Sequence, residues 1–126
     1  MSVRYFTVEE ANKALIEIKP LMRQLLETQA KAVRKSREIE HLLHDTHVDF
    51  GGAVPSELTR HFALIEDLLD QIRSVGCVVK NLEAGLVDFL AKIDGRDVYL
   101  CWRFGEERIS YYHELHTGFQ GRKALD

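Results

Sequence analysis

Apolar residues change their spacing once along this chain, at Gly76, and that change limits the possible folds more than any other feature. Before Gly76 they recur in steps of three and four; after it they alternate. One helical block followed by one strand block implies helices segregated against an antiparallel sheet, an α+β arrangement.

The helical block opens on Thr7-Val8-Glu9-Glu10, a capping box in which the Thr7 hydroxyl and the Glu10 carboxylate satisfy each other's backbone amides. Val8, Ala11, Leu15, Ile18, Met22 and Leu25 then form a heptad seam of the coiled-coil type. It continues through Gln29, Ala32, Ser36, Ile39 and Leu43. We expect one helix over residues 7–46, about 60 Å long at 1.5 Å per residue. Pro20 removes a backbone donor and crowds the Ile16 carbonyl, so a kink is expected near residues 16–20. Gly51-Gly52 marks a turn within residues 48–54, and Pro55 suits the first turn of a second helix. Leu58, Phe62, Ile65, Leu69 and Ile72 give that helix its seam, and Gly76 ends it. A short loop makes the two helices an antiparallel hairpin, residues 7–75. The second helix is the shorter, so the first seam from Val8 to Leu25 needs another partner.

The strand block, residues 77–114, reads as a β-meander of three to four strands. Asp94-Gly95 is a two-residue hairpin turn. It pairs Ile93 with Arg96, Phe89 with Leu100, Asp88 with Cys101 and Val87 with Trp102. A second turn around Gly105-Glu106-Glu107 leads to alternating Ile109, Tyr111 and His113, expected on the face of Leu100 and Trp102. That face should pack on the first helix, burying Trp102 among Leu15, Ile18 and Met22. The opposite face would carry Asp88, Leu90, Tyr99, Cys101, Arg103, Tyr112 and Glu114. Residues 115–126 read as an irregular glycine-containing tail. The whole chain, 1–126, reads as one domain.

The residues Gly85-Leu86-Val87-Asp88-Phe89, Leu100-Cys101-Trp102-Arg103-Phe104-Gly105-Glu106, Tyr112-His113-Glu114 and Gly118-Phe119-Gln120-Gly121-Arg122 occur in a distinctive order. Together with Tyr5-Phe6-Thr7-Val8-Glu9-Glu10-Ala11-Asn12, they resemble a bacterial family, domain of unknown function family 2203. Asn81 and Leu90 depart from that family's pattern. The resemblance implies a fold and no activity.

On the expected faces, His113 and Glu114 point apart, and Asp88 lies on the order of 12–17 Å from Glu114. A shared metal site of Asp88, Glu106, His113 and Glu114 is therefore not expected, and His113 reads as a histidine at the core edge. Asp88, Cys101, Arg103 and Tyr112 form a tighter polar group, read as an Asp88–Arg103 pair on a docking surface. No histidine is expected to face Cys101, which removes a Cys/His nucleophile. Arg122 in the tail is a candidate anion clamp over that group. His44, His47 and His61 have metal-ligand spacing near the hairpin's turn. Lys31, Arg34, Lys35 and Arg37 read as a solvated basic face. A phosphate-binding glycine loop and a serine elbow are both missing from the sequence, and no cofactor is expected.

With 17 Lys+Arg against 20 Asp+Glu, the net charge of −3 argues against nucleic-acid binding. No apolar run reaches the ~20 residues of a membrane span, and Met1-Ser2-Val3-Arg4-Tyr5 lacks the apolar stretch of an export signal. Cys77 and Cys101 form no CxxC and are expected about 9.6 Å apart across one strand, as separate thiols of a cytoplasmic protein. The leading expectation is a non-enzymatic interaction or scaffold module, a homodimer whose further protein partner is unknown. The alternative is a small metal- or ligand-dependent enzyme using the polar sheet face.

Overall fold

In the computed structural model, which describes residues 3–43 and 53–126, helix α1 spans Val8–Leu43 and helix α2 spans Ala53–Ser74. Five strands follow: β1 (Val78–Asn81), β2 (Leu86–Ile93), β3 (Arg96–Arg103), β4 (Tyr111–Glu114) and β5 (Lys123–Ala124). They form one antiparallel sheet in chain order. A single 3-10 turn, Phe119–Gly121, precedes β5.

The capping box forms as the sequence requires. The Thr7 amide donates to Glu10 Oε1 at 2.8 Å, and the Glu10 amide donates to Thr7 Oγ1 at 3.0 Å. These bonds hold the Glu10 carboxyl below its ordinary value. Helix α1 passes through Pro20 without a break. Ala11, Leu15, Ile18, Met22 and Leu25 are buried and share one core with Val87, Phe89, Val98, Leu100 and Trp102. Trp102 is fully buried, and its indole N–H donates to the Glu106 carbonyl at 2.9 Å. Toward its C-terminal half α1 turns Thr28 and Ala32 inward, where Leu68 and Ile72 of α2 are buried too. Lys35 bridges the two helices to Glu57 at 2.9 Å. Phe62, expected on the α2 seam, instead lies half exposed. Residues 58, 61, 65, 68 and 72 make the inward stripe, which leaves position 62 on its outer flank.

The Asp94-Gly95 turn has positive φ at both residues, 52° and 78°, and sets the expected β2–β3 register. Gly85 is forced by space as well as by its φ of 68°. A Cβ there would sit 2.8 Å from Phe104 Cβ and 3.3 Å from a Leu26 methyl, where α1 crosses the sheet.

Two expectations for the last third are corrected. The tail is not wholly irregular, because Lys123–Ala124 pairs with β4 and completes a five-stranded sheet. The β4 register also differs by one residue: Leu100 pairs with Tyr112, and Tyr99 pairs with His113. Alternation does not survive from Ile109 to Tyr111, because that stretch is not in the ladder. The Ile109 amide donates to the Asn12 side chain of α1 at 2.7 Å, and the Ser110 carbonyl accepts the Leu125 amide at 2.9 Å. Tyr112 therefore packs against the core, while His113 and Tyr111 turn to the opposite face. No described helix is long and apolar enough to cross a membrane.

Candidate functional site

The register correction brings His113 to the face of Asp88 and Cys101. Asp88 and Cys101 are cross-strand partners. His113 lies one row along, opposite Tyr99, and reaches diagonally across β3. All three side chains are at most 3% exposed. His113 Nε2 lies 2.9 Å from Asp88 Oδ2, and His113 Nδ1 lies 2.8 Å from the Glu114 carbonyl oxygen. Among the described residues, Asp88, Cys101 and His113 are the one group whose ligating oxygen, sulfur and nitrogen atoms lie mutually within 4.8 Å.

These distances fix the proton count. A carbonyl oxygen only accepts, so Nδ1 carries a proton and donates it to Glu114. Nε2 and Oδ2 then share a second proton, as Asp⁻/His⁺ or as two neutral groups. Either way the buried pair has no net charge, and burial without a counter-ion is tolerated. Burial pushes the Asp88 carboxyl above its ordinary value, opposed by the charge and hydrogen bond of His113. Burial, reinforced by the Asp88 charge, pushes the Cys101 thiol up to about 12. In this state Cys101 is a protonated thiol, and no free imidazole nitrogen is available as a base.

The three ligating groups open onto a cavity of about 140 Å³ closed by Lys80, Leu86, Thr117, Gly118 and Phe119. The tail is thus a wall of the site. The Glu114 carbonyl that orients His113 also accepts the Thr117 amide and hydroxyl, both at 3.2 Å. Gly121 approaches Thr117 so closely that a Cβ would lie 2.8 Å from its Cβ. The 3-10 turn therefore packs against the residue that braces the Glu114 carbonyl. Lys80 reaches the rim from an irregularity in β1–β2 pairing between Val79 and Asn81, with its ammonium 5.0 Å from the Tyr99 ring centre.

The arrangement suits a borderline transition ion. A tetrahedral zinc-type shell, with bonds near 2.0–2.2 Å to nitrogen and oxygen, separates those two donors by about 3.3 Å. The observed 2.9 Å would open by roughly 0.4 Å, a small rotamer adjustment. Nδ1–H bound to a carbonyl is the second contact that holds a ligating histidine with Nε2 toward its metal. Three protein donors would leave a tetrahedral ion one position for a further ligand.

The residues singled out from sequence divide sharply. Asp88 and Cys101 are in the site. Arg103 does not pair with Asp88; it is exposed, on the same face two residues along β3, with its guanidinium 5.8 Å from the Phe119 ring centre. Tyr112 belongs to the core-facing side. Arg122 is not free to clamp an anion, since it binds Glu106 at 2.6 Å and stacks on Tyr111 and Phe119 at 4.0 and 4.4 Å. Glu106 also accepts the Arg103 amide at 2.7 Å, so this pair ties the tail to the end of β3. His44 and His47 lie outside the described residues; His61 is half-buried on α2 and belongs to no described metal-ligand group. The expectation that no histidine faces Cys101 is overturned by the β4 register.

Residues 4–125 match the family model of an uncharacterised conserved protein, DUF2203, and the chain belongs to that family. No curated protein and no solved structure matches it.

Proposed function

We propose that this protein is a small metal-dependent enzyme whose single divalent ion, of the zinc class, is held by Asp88, Cys101 and His113. The convergence of these three buried donors, with His113 pre-oriented by the Glu114 carbonyl, carries the reading. Loaded with metal, the site would contain a thiolate, a carboxylate and a neutral imidazole, which together balance the ion's charge. The fourth position would supply Lewis-acid chemistry beside the cavity.

Cobalt(II) titration tests it directly. One ion per chain and a thiolate-to-cobalt charge-transfer band are expected, with the band lost in Cys101→Ser and affinity lowered in His113→Ala. Stoichiometric binding that survives Asp88→Asn/Cys101→Ser/His113→Ala, and disappears in His61→Ala, would move the site to the helical hairpin and refute the reading.

Self-association is a second reading, favoured by one observation: Phe62 is 53% exposed on α2. A homodimer docking helix to helix, in the coiled-coil manner, would cover it. Sedimentation at twice the chain mass, reversed by Phe62→Glu, is the expected result; a monomer at high concentration sinks it. Cys77 and Cys101, both free and buried, suit a reducing cytoplasmic setting.

A further inference from the structure

The metal cavity is not isolated. A second hollow of about 290 Å³ adjoins it and shares two of its walls, Leu86 and Phe119. Its far side is formed by Arg103, Asn81 and Gln120. The geometry along the sheet is set by the register. Asp88 pairs with Cys101 and Leu86 pairs with Arg103, so these are successive rows on one face, about 6.7 Å apart. Moving from the metal donors toward Arg103, a bound molecule would meet donor atoms, then an apolar strip, then a guanidinium.

The charges along this path are one-sided. With the ion bound, the three donors are neutral overall. Lys80 stands at the first cavity and Arg103 at the second. Among the described residues neither makes an ion pair with a carboxylate. Glu106, which follows β3, is occupied by Arg122 and by the Arg103 backbone amide. Both side chains are exposed, so an anionic end of a ligand can reach either cation, Lys80 or Arg103, without displacing a protein partner.

Resting on the metal reading above, we infer that the site takes a short dicarboxylate-like substrate: one oxygen-bearing end on the ion, an aliphatic middle between Leu86 and Phe119, and a carboxylate on Arg103. Arginine suits this role because its planar fork meets a carboxylate with two parallel hydrogen bonds. The two hollows meet at the shared walls Leu86 and Phe119, which suits a short aliphatic link of the glutarate kind between the two ends. Larger acids would have to displace Phe119 and the 3-10 turn, which Arg122 holds to Glu106.

The test uses full-length protein loaded with cobalt(II) and titrated with glutarate, with butyrate as the match lacking the second carboxylate. Glutarate should perturb the cobalt spectrum at concentrations at least tenfold lower than butyrate. Arg103→Met, which keeps the stem against Phe119, should erase that preference while the protein still takes up one cobalt ion. Equal affinity for the two acids, or a preference that persists in Arg103→Met, overturns the inference and leaves the metal site standing. Failure of the wild-type chain to take up cobalt overturns the metal reading and this one with it; the stoichiometry distinguishes the two failures.

Discussion

Replacing His113 by leucine in metal-free protein isolates the energetics of the buried pair. The imidazole is removed, and Asp88, 1% exposed, loses the group that shares its proton. The carboxylate must then either stay charged in a poor dielectric or take up a proton. Breaking one side of a buried pair costs about 3–5 kcal/mol. That is a large part of the ~5–15 kcal/mol that stabilises a domain of this size. With an unfolding entropy of about 2.1 cal/mol/K per residue, it lowers the melting temperature by roughly 10–20 °C. The loss should depend on pH in a defined direction. Burial already raises the Asp88 pKa in the fold, and His113 opposes that rise. Without His113 the folded value climbs further above the unfolded value of about 3.9. An acid with a higher pKa folded than unfolded holds more protons when folded. Stability therefore falls as pH rises from about 4 to the folded pKa and is flat beyond it. The His113→Leu deficit should be largest near pH 7–8 and shrink toward pH 4–5. Asp88→Leu added to His113→Leu removes the unpaired acid and should recover much of the loss. Chemical denaturation in chelator at pH 5 and pH 8 measures all of this. A deficit under ~1 kcal/mol at pH 8, or one of equal size at both pH values, would refute the account of a pair that shares one proton.

Zinc binding should release about two protons per ion, one from Cys101 and one shared by Asp88 and His113. Calorimetry in buffers of different ionisation enthalpy counts them, and a count below one contradicts the protonation argued from the hydrogen bonds. Trp102→Ala should cost about 3–5 kcal/mol in denaturant unfolding, since the ring is fully buried between α1 and the sheet. Both thiols should resist a disulfide reagent at pH 8 in the native protein and react on unfolding. Burial raises Cys77 to about 11 and, with help from Asp88, Cys101 to about 12. Rapid native labelling of either would contradict their placement.

Where local signals were strong and repeated, the fold could be read from the residues. The capping box, the seam from Ala11 to Leu25 and the Asp94-Gly95 turn each use contacts within a few positions, or a period sustained over several turns. Pro20 lies inside the helix, as an apolar register that passes it without a slip implies. Phe62 shows the limit of such reasoning. A seam drawn at steps of three and four admits either of two adjacent positions, and the angle at which α2 meets α1 decides between them. β5 had no period to reveal it: two residues, Lys123 and Ala124, join the sheet only because β4 offers a free edge.

A single residue of register hides the Asp88–Cys101–His113 group from a reading of the sequence. Alternation through 109–113 as one strand puts His113 on the face of Leu100 and Tyr112 on that of Cys101. In the fold, Asn12 from α1 takes the Ile109 amide, and the tail takes the Ser110 carbonyl. Neither partner is near in sequence, so nothing local signals that the ladder starts again at Tyr111. Because side chains alternate with a period of two, that one-residue slip exchanges every side chain of β4 between faces. It converts a core-edge histidine into the third donor of a buried Asp-Cys-His group, and a site tyrosine into core. The pairing of Asp88 with Cys101 is legible in the sequence because the turn that sets their register is two residues long and self-contained. The chemistry of the face therefore depended on the strand whose start is fixed from farthest away. The same long-range contacts, Asn12 to Ile109 and Ser110 to Leu125, hold His113 where it can meet Asp88. Asn12→Ala should thus weaken cobalt binding while touching none of the three donors, and unchanged affinity in a folded Asn12→Ala protein would show that β4 keeps its register without α1.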